Sequence, residues 1–262
     1  MRCLPRLMVA PNGARRSQSD HPALPVTDAE ILATAISCQE AGADGIHVHI
    51  RDVEGRHELD TGHYRAVLDQ LCDTVPDMYV QVTSEAAGRY SGAEQRTIMQ
   101  VLQPAYVSVA LREMVREPQD WAQAQEFYEW ATSSGVEIQH ILYSPEDVQW
   151  FVRAIHEQRI PGTHHLILLV QGTYAHGSQG RAYLEDYLTE LGKADGMSFD
   201  WMLCAFGQQE TESLARAAQL GGKARVGFEN SLWNMDGTLA KNNAERVREV
   251  DTAIKRAVQK TI

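Results

Sequence analysis

The amino-acid sequence predicts an α/β fold, a (β/α)8 TIM barrel formed by a single domain that spans residues 1–262. Short apolar segments typical of strands alternate eight times with amphipathic segments typical of helices. No linker or low-complexity segment divides the chain, and its 262 residues match the length of about 250 that such a barrel needs. An open doubly wound sheet is the alternative, because it is built from the same alternation.

Eight stretches have the composition of strands. Strand two, residues 46–50, alternates apolar residues with histidines. Strand six, residues 166–171, is a continuous apolar run, as expected of a strand that is buried on both faces. The other predicted strands are residues 7–10, 78–83, 105–111, 136–143, 199–205 and 224–228.

Helix signals follow the strands. Thr27 and Glu30 have the spacing of a capping box, and Ser144 with Pro145 is a typical helix start. Gly42 ends the first helix. The last helix has an apolar stripe at helical spacing, formed by Val247, Val250, Ile254 and Val258. A helix near residues 182–191 follows a loop that contains three glycines, Gly172, Gly177 and Gly180.

Charge and composition exclude several classes of partner. The formal net charge of −11 argues against nucleic acids and anionic membranes, because both bind basic surfaces. Four cysteines without a CxxC spacing indicate neither a zinc ribbon nor a disulfide framework. The sequence has neither a signal peptide nor an apolar stretch of membrane-spanning length, so we expect a cytoplasmic protein without membrane partners.

The strongest functional signal lies in strand two, where His47 and His49 alternate with apolar residues. Side chains two residues apart on a strand point to the same side, so the two imidazoles project together. Two histidines in this arrangement supply half of a metal site. Two core histidines bonded to backbone carbonyls are the alternative, which the Arg51-Asp52 pair at the strand end makes the weaker one.

Polar residues also follow the other strands, at the end of the barrel where TIM-barrel chemistry takes place. They include Asn12, Thr83, Ser84, Glu85, Ser108, Arg112, Glu113, Tyr143, Gln171, Glu229, Asn230 and Ser231. Strands two and eight both flank strand one in a closed barrel, so Glu229 can approach the two histidines. Two nitrogens and one carboxylate oxygen with an open position are typical of a catalytic zinc site, and they also suit Fe(II) or Mn(II). A solvated or salt-bridged Glu229 is the alternative.

Arg225 lies four residues before Glu229 on the same predicted strand and can face the same interior. An unpaired cation there is costly, so Arg225 is a candidate for binding a substrate carboxylate. A structural ion pair is the alternative.

The remaining histidines give weaker signals. His164 and His165 precede strand six, at the barrel end opposite the chemistry, and we expect them to be structural. His57 and His63 lie in or near the loop and the helix after strand two and are expected to be exposed. His176, in the loop after strand six, could contact the substrate.

Several motifs together resemble the β-keto acid cleavage enzymes, the family of 3-keto-5-aminohexanoate cleavage enzyme. They are Ala10-Pro-Asn-Gly-Ala14, Gly45-Ile-His-Val-His-Ile-Arg-Asp52, Gly55, Leu59-Asp60 and Arg225-Val-Gly-Phe-Glu229. The resemblance implies a (β/α)8 fold, a homo-oligomer with a tetramer favoured, and a divalent metal, usually zinc. The implied reaction is a Claisen-type exchange, in which a small β-keto acid and acetyl-CoA give acetoacetate and a new acyl-CoA.

The resemblance also implies roles for individual residues. The implied metal ligands are His47, His49 and Glu229, and Arg225 matches the active-site arginine of the family. Thr83 or Ser84, and Ser108, lie near positions of substrate-binding hydroxyls, and Asn12 and Arg15 complete the predicted substrate-binding set. Some members have an acidic residue where this chain has Arg15, whose positive charge would suit a more anionic substrate.

Asn230 is a second departure from the family pattern. Members usually have an aspartate there that takes part with the arginine in proton transfer, and an amide cannot act as a base. Asn230 therefore marks a catalytic position whose proton transfer needs another group. Glu85 is the candidate base, with Glu113 and Asp52 behind it. A salt bridge between Glu85 and Arg89 is the alternative.

Two other classes of function fit the same residues. A metal-dependent hydrolase or class II aldolase-type lyase acting on a small keto acid would use the same ligands without depending on CoA. A non-catalytic metabolite-binding barrel, which Asn230 makes conceivable, would bind a ligand without forming product. The sequence predicts the exchange reaction ahead of both.

Overall fold

The computed structural model describes residues 3–173 and 183–259, whose main sheet is a closed barrel. The strands in these ranges are β1 (Leu7–Val9), β2 (Gly45–Val48), β3 (Ile50–Arg51), β4 (His57–Glu58), β5 (Tyr79–Thr83), β6 (Tyr106–Ala110), β7 (Glu137–Leu142), β8 (His164–Gln171), β9 (Ser198–Ala205) and β10 (Lys223–Val226). Eight of them pair in parallel in the order β1-β10-β9-β8-β7-β6-β5-β2, and β2 closes on β1. The (β/α)8 prediction is confirmed, and the open sheet is excluded.

The helices of the same ranges surround the barrel. They are α1 (Asp28–Glu40), α2 (Thr61–Thr74), α3 (Gly92–Leu102), α4 (Leu111–Met114), α5 (Trp121–Ser134), α6 (Pro145–His156), α7 (Leu184–Leu191), α8 (Glu210–Gln219) and α9 (Asn243–Gln259), with a 3-10 turn at Pro118–Asp120. The predicted capping box is confirmed, because Thr27 and Glu30 each accept the other's backbone N–H. Ser144 caps α6 by accepting the N–H of Asp147. Among these helices, none has the length and apolarity needed to cross a membrane.

Apolar side chains fill two regions. The larger lies between the sheet and the helices, where Val247 and Val250 of α9 are fully buried. Val258 on the same helix is 40% exposed, so the buried stripe ends earlier than the sequence predicted. The smaller region is the barrel interior, which contains Met8 and Met202.

The sequence did not predict the hairpin formed by β3 and β4. After Val48 the chain leaves the barrel sheet, and Ile50–Arg51 pairs in antiparallel fashion with His57–Glu58. Asp52 stabilises the turn by accepting the backbone N–H groups of Glu54 and Arg56. The hairpin therefore folds back against the end of the barrel beside His49.

Gly227 allows two backbones to approach closely where β10 ends. Its φ of +138° lies in the region that favours glycine, and an added Cβ would lie 2.5 Å from the carbonyl oxygen of Ala10. The same Cβ would lie 2.9 Å from Oδ1 of Asn243. This turn brings Glu229 back over β1, where its N–H donates to the carbonyl of Ala10 at 3.1 Å.

We expect Gly227→Ala to lower the free energy of unfolding more than Gly237→Ala. Backbone strain costs about 1–3 kcal/mol at either position, and at Gly227 the overlap with Ala10 adds to it. Gly237 also has a positive φ, +84°, but an added Cβ would meet nothing within 4 Å. Urea-induced unfolding followed by circular dichroism measures both variants. Equal losses in the two variants would contradict the close-approach argument.

Candidate metal centre and active site

A cavity of about 420 Å³ opens at the carboxyl ends of the barrel strands. Its polar lining includes His47, Glu85, Arg225 and Glu229, and Phe206 contributes to an apolar wall. A cavity of this size is typical of small-molecule sites. It lies at the barrel end where the sequence predicted the chemistry.

The side chains of His47 and His49 project to the same side, with their Nε2 atoms 3.0 Å apart. Burial, together with the positive charge of Arg225, holds the pKa of His47 well below its usual range. Burial and the neighbouring His47 do the same to the pKa of His49. Both imidazoles are therefore neutral near pH 7, and each keeps a nitrogen lone pair that can bind a metal ion.

Glu229 approaches both imidazoles across β1. Its Oε2 atom lies 3.5 Å from Nε2 of His49 and 3.9 Å from Nε2 of His47. Its other carboxylate oxygen, Oε1, accepts a hydrogen bond from Arg225 at 3.0 Å. Oε2 is buried and has no hydrogen-bond partner among the residues that the structure describes.

These three side chains fit a metal ion. Their ligand atoms all lie within 4.8 Å of one another. A tetrahedral zinc ion with bonds of about 2.0–2.1 Å separates its ligand atoms by about 3.3–3.4 Å, and the separations between these atoms range from 3.0 to 3.9 Å. An unpartnered carboxylate oxygen facing two neutral imidazole nitrogens is a donor set of the zinc type.

Arg225 forms an ion pair with Glu229, which was the predicted alternative for this residue. Besides Glu229, its Nη2 atom contacts Sγ of Cys204 at 3.5 Å. Burial acts to lower the pKa of Arg225, but the negative charge of Glu229 acts in the opposite direction. The net effect is a raised pKa, so the guanidinium stays protonated. Its Nε atom is buried without an acceptor in residues 3–173 or 183–259.

Glu85 lines the cavity and has an unusual protonation equilibrium. Burial raises its pKa to about 7, and the negative charges of Glu229 and Glu113 contribute. Arg15 opposes this shift, with its Nε atom 3.9 Å from Oε1 of Glu85. A carboxyl group with a pKa near neutrality can both accept and release a proton under physiological conditions.

The two other candidate bases, Glu113 and Asp52, have different surroundings. Glu113 also lines the cavity, and its carboxylate accepts the N–H of Ala86 at 2.9 Å. Asp52 is committed to the hairpin turn and to an ion pair with Arg56 at 2.9 Å. Arg89 lies 3.6 Å from Asp52, and the predicted alternative of an ion pair between Arg89 and Glu85 is wrong.

Two of the three residues with predicted substrate-binding hydroxyls line the cavity, and the third does not. Thr83 and Ser84 line the cavity, and the Thr83 hydroxyl accepts the N–H of Glu85 at 3.0 Å. The Ser84 hydroxyl donates to the carbonyl of Ser108 at 2.9 Å. The Ser108 hydroxyl is buried without a partner in the described part of the chain and does not belong to the cavity lining. Of these three predicted hydroxyl residues, Thr83 and Ser84 are therefore the two that line the cavity.

The two candidates after β1 also differ. Arg15 lines the cavity. Asn12 is fully buried and donates from its amide nitrogen to the carbonyls of His49 at 2.9 Å and Pro25 at 3.0 Å. The Asn12 side chain thus fixes the backbone of His49, a predicted metal ligand, and does not line the cavity.

Asn230 is fully buried and is not one of the residues that line the cavity. Its backbone carbonyl accepts the N–H of Gly207 at 3.3 Å. Neither the oxygen nor the nitrogen of its amide has a hydrogen-bond partner among the described residues. The role of this position in proton transfer stays a prediction.

The histidine predictions had mixed outcomes. The prediction of an exposed His57 is wrong, because the hairpin buries its ring 5.2 Å from that of His49 and Nε2 lies 2.8 Å from the carbonyl oxygen of Glu85. His63, which was also expected to be exposed, is instead half-buried between Asp28 and Glu58. His164 and His165 lie at the start of β8, at the predicted end of the barrel. His176, like Gly177 and Gly180, lies outside the described residues.

Two features of the site were not predicted from the sequence. Gln81 of β5 accepts a hydrogen bond from Nδ1 of His47 at 2.9 Å; its only signal is a polar residue within an apolar strand. Arg112 places its guanidinium carbon 3.4 Å from the centre of the Tyr143 ring, and both side chains line the cavity. This cation–π contact joins the ends of two different strands, so no local pattern reveals it.

Comparison with known proteins places the chain in a family. The family model described as beta-keto acid cleavage enzyme matches residues 6–262. A 3-keto-5-aminohexanoate cleavage enzyme of Fusobacterium nucleatum is 22% identical over 248 residues, which cover 91% of this chain and 86% of the relative. A 3-oxoadipate:acetyl-CoA acetyltransferase of Cupriavidus necator is 24% identical over 251 residues, which cover 93% and 86% of the two chains.

A solved structure shares the fold. The ternary complex of ObcA with a C4-CoA adduct and oxalate has a TM-score of 0.70 at 15% identity. The likeness covers 90% of this chain and 64% of ObcA, so this chain is the shorter of the two. The resemblance inferred from the sequence motifs is confirmed by the family model, which matches nearly the whole chain. This protein is an enzyme that belongs to the β-keto acid cleavage enzyme family.

Proposed function

We propose that this enzyme catalyses a Claisen-type exchange, in which a small β-keto acid and acetyl-CoA give acetoacetate and a new acyl-CoA. The observation that carries the proposal is the convergence of two neutral imidazoles, the Glu229 carboxylate, Arg225 and Glu85 on one cavity. The relative named 3-oxoadipate:acetyl-CoA acetyltransferase supports both the keto acid and the cosubstrate.

We assign a divalent metal ion, with zinc as the expected ion, to Nε2 of His47, Nε2 of His49 and Oε2 of Glu229. A divalent ion held there would supply Lewis-acid polarisation of a substrate oxygen. Arg225 orients the carboxylate by binding its other oxygen, Oε1, at 3.0 Å. This hydrogen bond leaves the other oxygen, Oε2, directed at the two imidazoles.

Arg225 would also stabilise the negative charge that develops on the substrate when the carbon nucleophile forms. Its guanidinium stays charged and lines the cavity, and its Nε–H has no acceptor among the described residues. A fixed cation in a partly buried cavity acts more strongly than the same charge in water. The preorganised ion pair with Glu229 keeps the cation in place during the reaction.

Glu85 is the group that we propose as the base. Its pKa, raised to about 7, matches the pH at which a general base is most effective, whereas the Asn230 amide cannot accept a proton. The Thr83 hydroxyl accepts the backbone N–H of Glu85 and so fixes this residue at the strand end. Glu85 would remove the proton from the carbon between the two carbonyl groups.

Charge in the cavity favours an anionic β-keto acid. Three arginines, Arg15, Arg112 and Arg225, balance three glutamates, Glu85, Glu113 and Glu229, in its lining. A bound divalent cation would leave two positive charges in excess, which match the two carboxylates of a β-keto dicarboxylic acid. The name of the relative that acts on 3-oxoadipate supports this substrate class.

The exchange predicts turnover that depends on both substrates. Zinc-loaded protein would be incubated with β-keto acids that end in a carboxylate, a methyl group or an ammonium group, with and without acetyl-CoA. We expect acetoacetate, measured by mass spectrometry, only when both substrates are present, and fastest with the dicarboxylic acids.

Two outcomes would contradict this prediction. Consumption of the keto acid without acetyl-CoA would indicate the hydrolase or aldolase-type lyase. Saturable keto-acid binding without product, with or without acetyl-CoA, would indicate the non-catalytic binding protein.

We expect His49→Ala to abolish zinc binding and turnover together, because it removes one of three protein ligands. Zinc per chain, measured by mass spectrometry after dialysis, should fall from one ion to nearly none. His164→Ala is the matched control, since His164 lies at the opposite end of the barrel, where its Nδ1 atom contacts the Ser198 hydroxyl. Full zinc content in His49→Ala would exclude this ligand assignment.

The proposed base predicts a pH dependence. Protonated Glu85 cannot accept a proton, so kcat/KM should be lost as the pH falls through the pKa of Glu85. A metal ion beside Glu229 would offset one cause of the shift, so we expect the inflection between the ordinary value of 4.5 and about 7. Glu85→Gln should lower kcat by about 10²-fold or more and remove the inflection.

Glu113→Gln is the matched variant for this experiment. It removes one of the negative charges that raise the pKa of Glu85, so the inflection should persist and move to lower pH. An unchanged pH profile in Glu85→Gln would assign the proton transfer to another group.

A further inference from the structure

Two buried glutamines lie in the apolar interior of the barrel. Gln81 and Gln139 are both fully buried, and the same interior holds Met8 and Met202. A buried amide is costly unless its donors and acceptors are satisfied, whereas an apolar residue would fill this space without that cost. The structure connects the two amides in a hydrogen-bonded chain that ends at His47.

The direction of this chain is set at the end remote from the cavity. Nε2 of Gln139 lies 3.4 Å from the carbonyl oxygen of Ile167 and 3.9 Å from Sδ of Met202. A carbonyl oxygen only accepts hydrogen bonds, so Gln139 must turn its NH₂ group to Ile167. Its oxygen therefore faces Gln81, whose Nε2 donates to it at 3.0 Å.

The same logic continues to the imidazole. Because Gln81 donates to Gln139 through its nitrogen, its oxygen is turned to Nδ1 of His47, at 2.9 Å. An amide oxygen cannot donate, so Nδ1 of His47 carries the proton and Nε2 carries the lone pair. Nε2 is the atom that faces Glu229 and His49.

We propose that Gln81 and Gln139 are positioning residues that set the tautomer of His47, so that its Nε2 lone pair is available to a metal ion before the ion arrives. This inference rests on the proposed metal centre. His47 and Gln81 are direct neighbours in the pairing of β2 with β5, which fixes their separation. Gln139, on β7, acts through Gln81 and touches neither the metal ligands nor the cavity.

The opposite tautomer illustrates what the chain prevents. If Gln81 rotated, its NH₂ group would face Nδ1, and His47 would direct an N–H from Nε2 at the proposed metal position. The same rotation would set the oxygens of Gln81 and Gln139 against each other. The backbone carbonyl of Ile167 prevents Gln139 from rotating to relieve that contact.

Among the described residues, no side chain fixes the tautomer of His49 in the same way. Its Nδ1 atom has no hydrogen-bond partner there, and Asn12 holds its backbone carbonyl rather than its ring. The preset tautomer is therefore a property of one ligand, His47. Support of this kind usually changes metal affinity about 10-fold to 100-fold when it is removed.

The first experiment measures the tautomer directly. Metal-free protein labelled with ¹⁵N in its histidines would be studied by long-range ¹H–¹⁵N correlation spectra near pH 7, with His47 assigned from a His47→Gln variant. We expect the wild-type protein to show the proton on Nδ1 of His47. Gln81→Met and Gln139→Met should both populate the tautomer with the proton on Nε2.

The second experiment measures zinc affinity by competition with a chromophoric chelator. We expect Gln81→Met to weaken zinc binding by about 10-fold to 100-fold, and Gln139→Met to weaken it by a smaller factor. Met202→Leu is the matched control, because it removes the long sulfur contact and alters packing beside Gln139 but leaves the Ile167 carbonyl and the chain of amides in place, so it should change neither the tautomer nor the affinity. If Gln81→Met does not fold, Gln139→Met tests the same chain of hydrogen bonds, because Gln139 acts on His47 through Gln81.

The outcomes separate this inference from the proposed function. Wild-type tautomer and affinity in both glutamine variants would overturn the positioning role. An equal loss of affinity in Met202→Leu would overturn it in favour of a packing effect. Wild-type protein that binds no zinc would overturn the metal centre, and the tautomer in the metal-free protein would still decide whether the glutamines set it.

Discussion

The pairing of β1 with β2 on one side and with β10 on the other determines the geometry of the whole site. Val9 is level with Ile46 of β2 and with Val226 of β10, so the residues that follow both strands emerge at the same height. A slip of one residue in either pairing would turn the inward side chains outward. The Glu229 carboxylate lies at least 180 residues after the two histidines in the chain. It meets their imidazoles because the barrel closes at β1 in this register.

The site also distributes charge in a defined way inside a low-dielectric region. His47 of β2 and His49 just after it are both buried and neutral, while Glu229 divides its two oxygens between Arg225 and the imidazoles. Breaking such a buried pair leaves an uncompensated charge, so the ion pair constrains the carboxylate strongly. The polar chain through the two interior glutamines extends the same constraint to His47. Interior positions that apolar residues commonly fill in a (β/α)8 barrel are occupied here by Gln81 and Gln139, which are hydrogen-bonded in a chain that leads to the site.

Most of the fold could be predicted because it is encoded locally. Capping boxes and alternating apolar residues act over a few neighbouring residues, and the structure has the eight barrel strands and the capped helices at the predicted places. The hairpin of β3 and β4 was missed because its strands are two residues long, too short for a periodic signal. The error over His57 follows from the same omission, since only the hairpin brings that ring against His49. Val258 was misjudged because the helical stripe continues in the sequence after the barrel surface has ended.

The sequence by itself determined the fold class, the family and the residue types offered for metal binding, because periodicity and motif spacing are properties of the chain alone. It could propose Glu229 as a partner of the histidines only through the assumption of a closed barrel. The tertiary structure decided which oxygen of Glu229 faces the imidazoles and that burial raises the pKa of Glu85 to about 7. It also decided the hydrogen-bonded order from Ile167 to His47. These properties depend on distance, burial and donor direction between residues far apart in the chain, and a linear pattern contains none of the three.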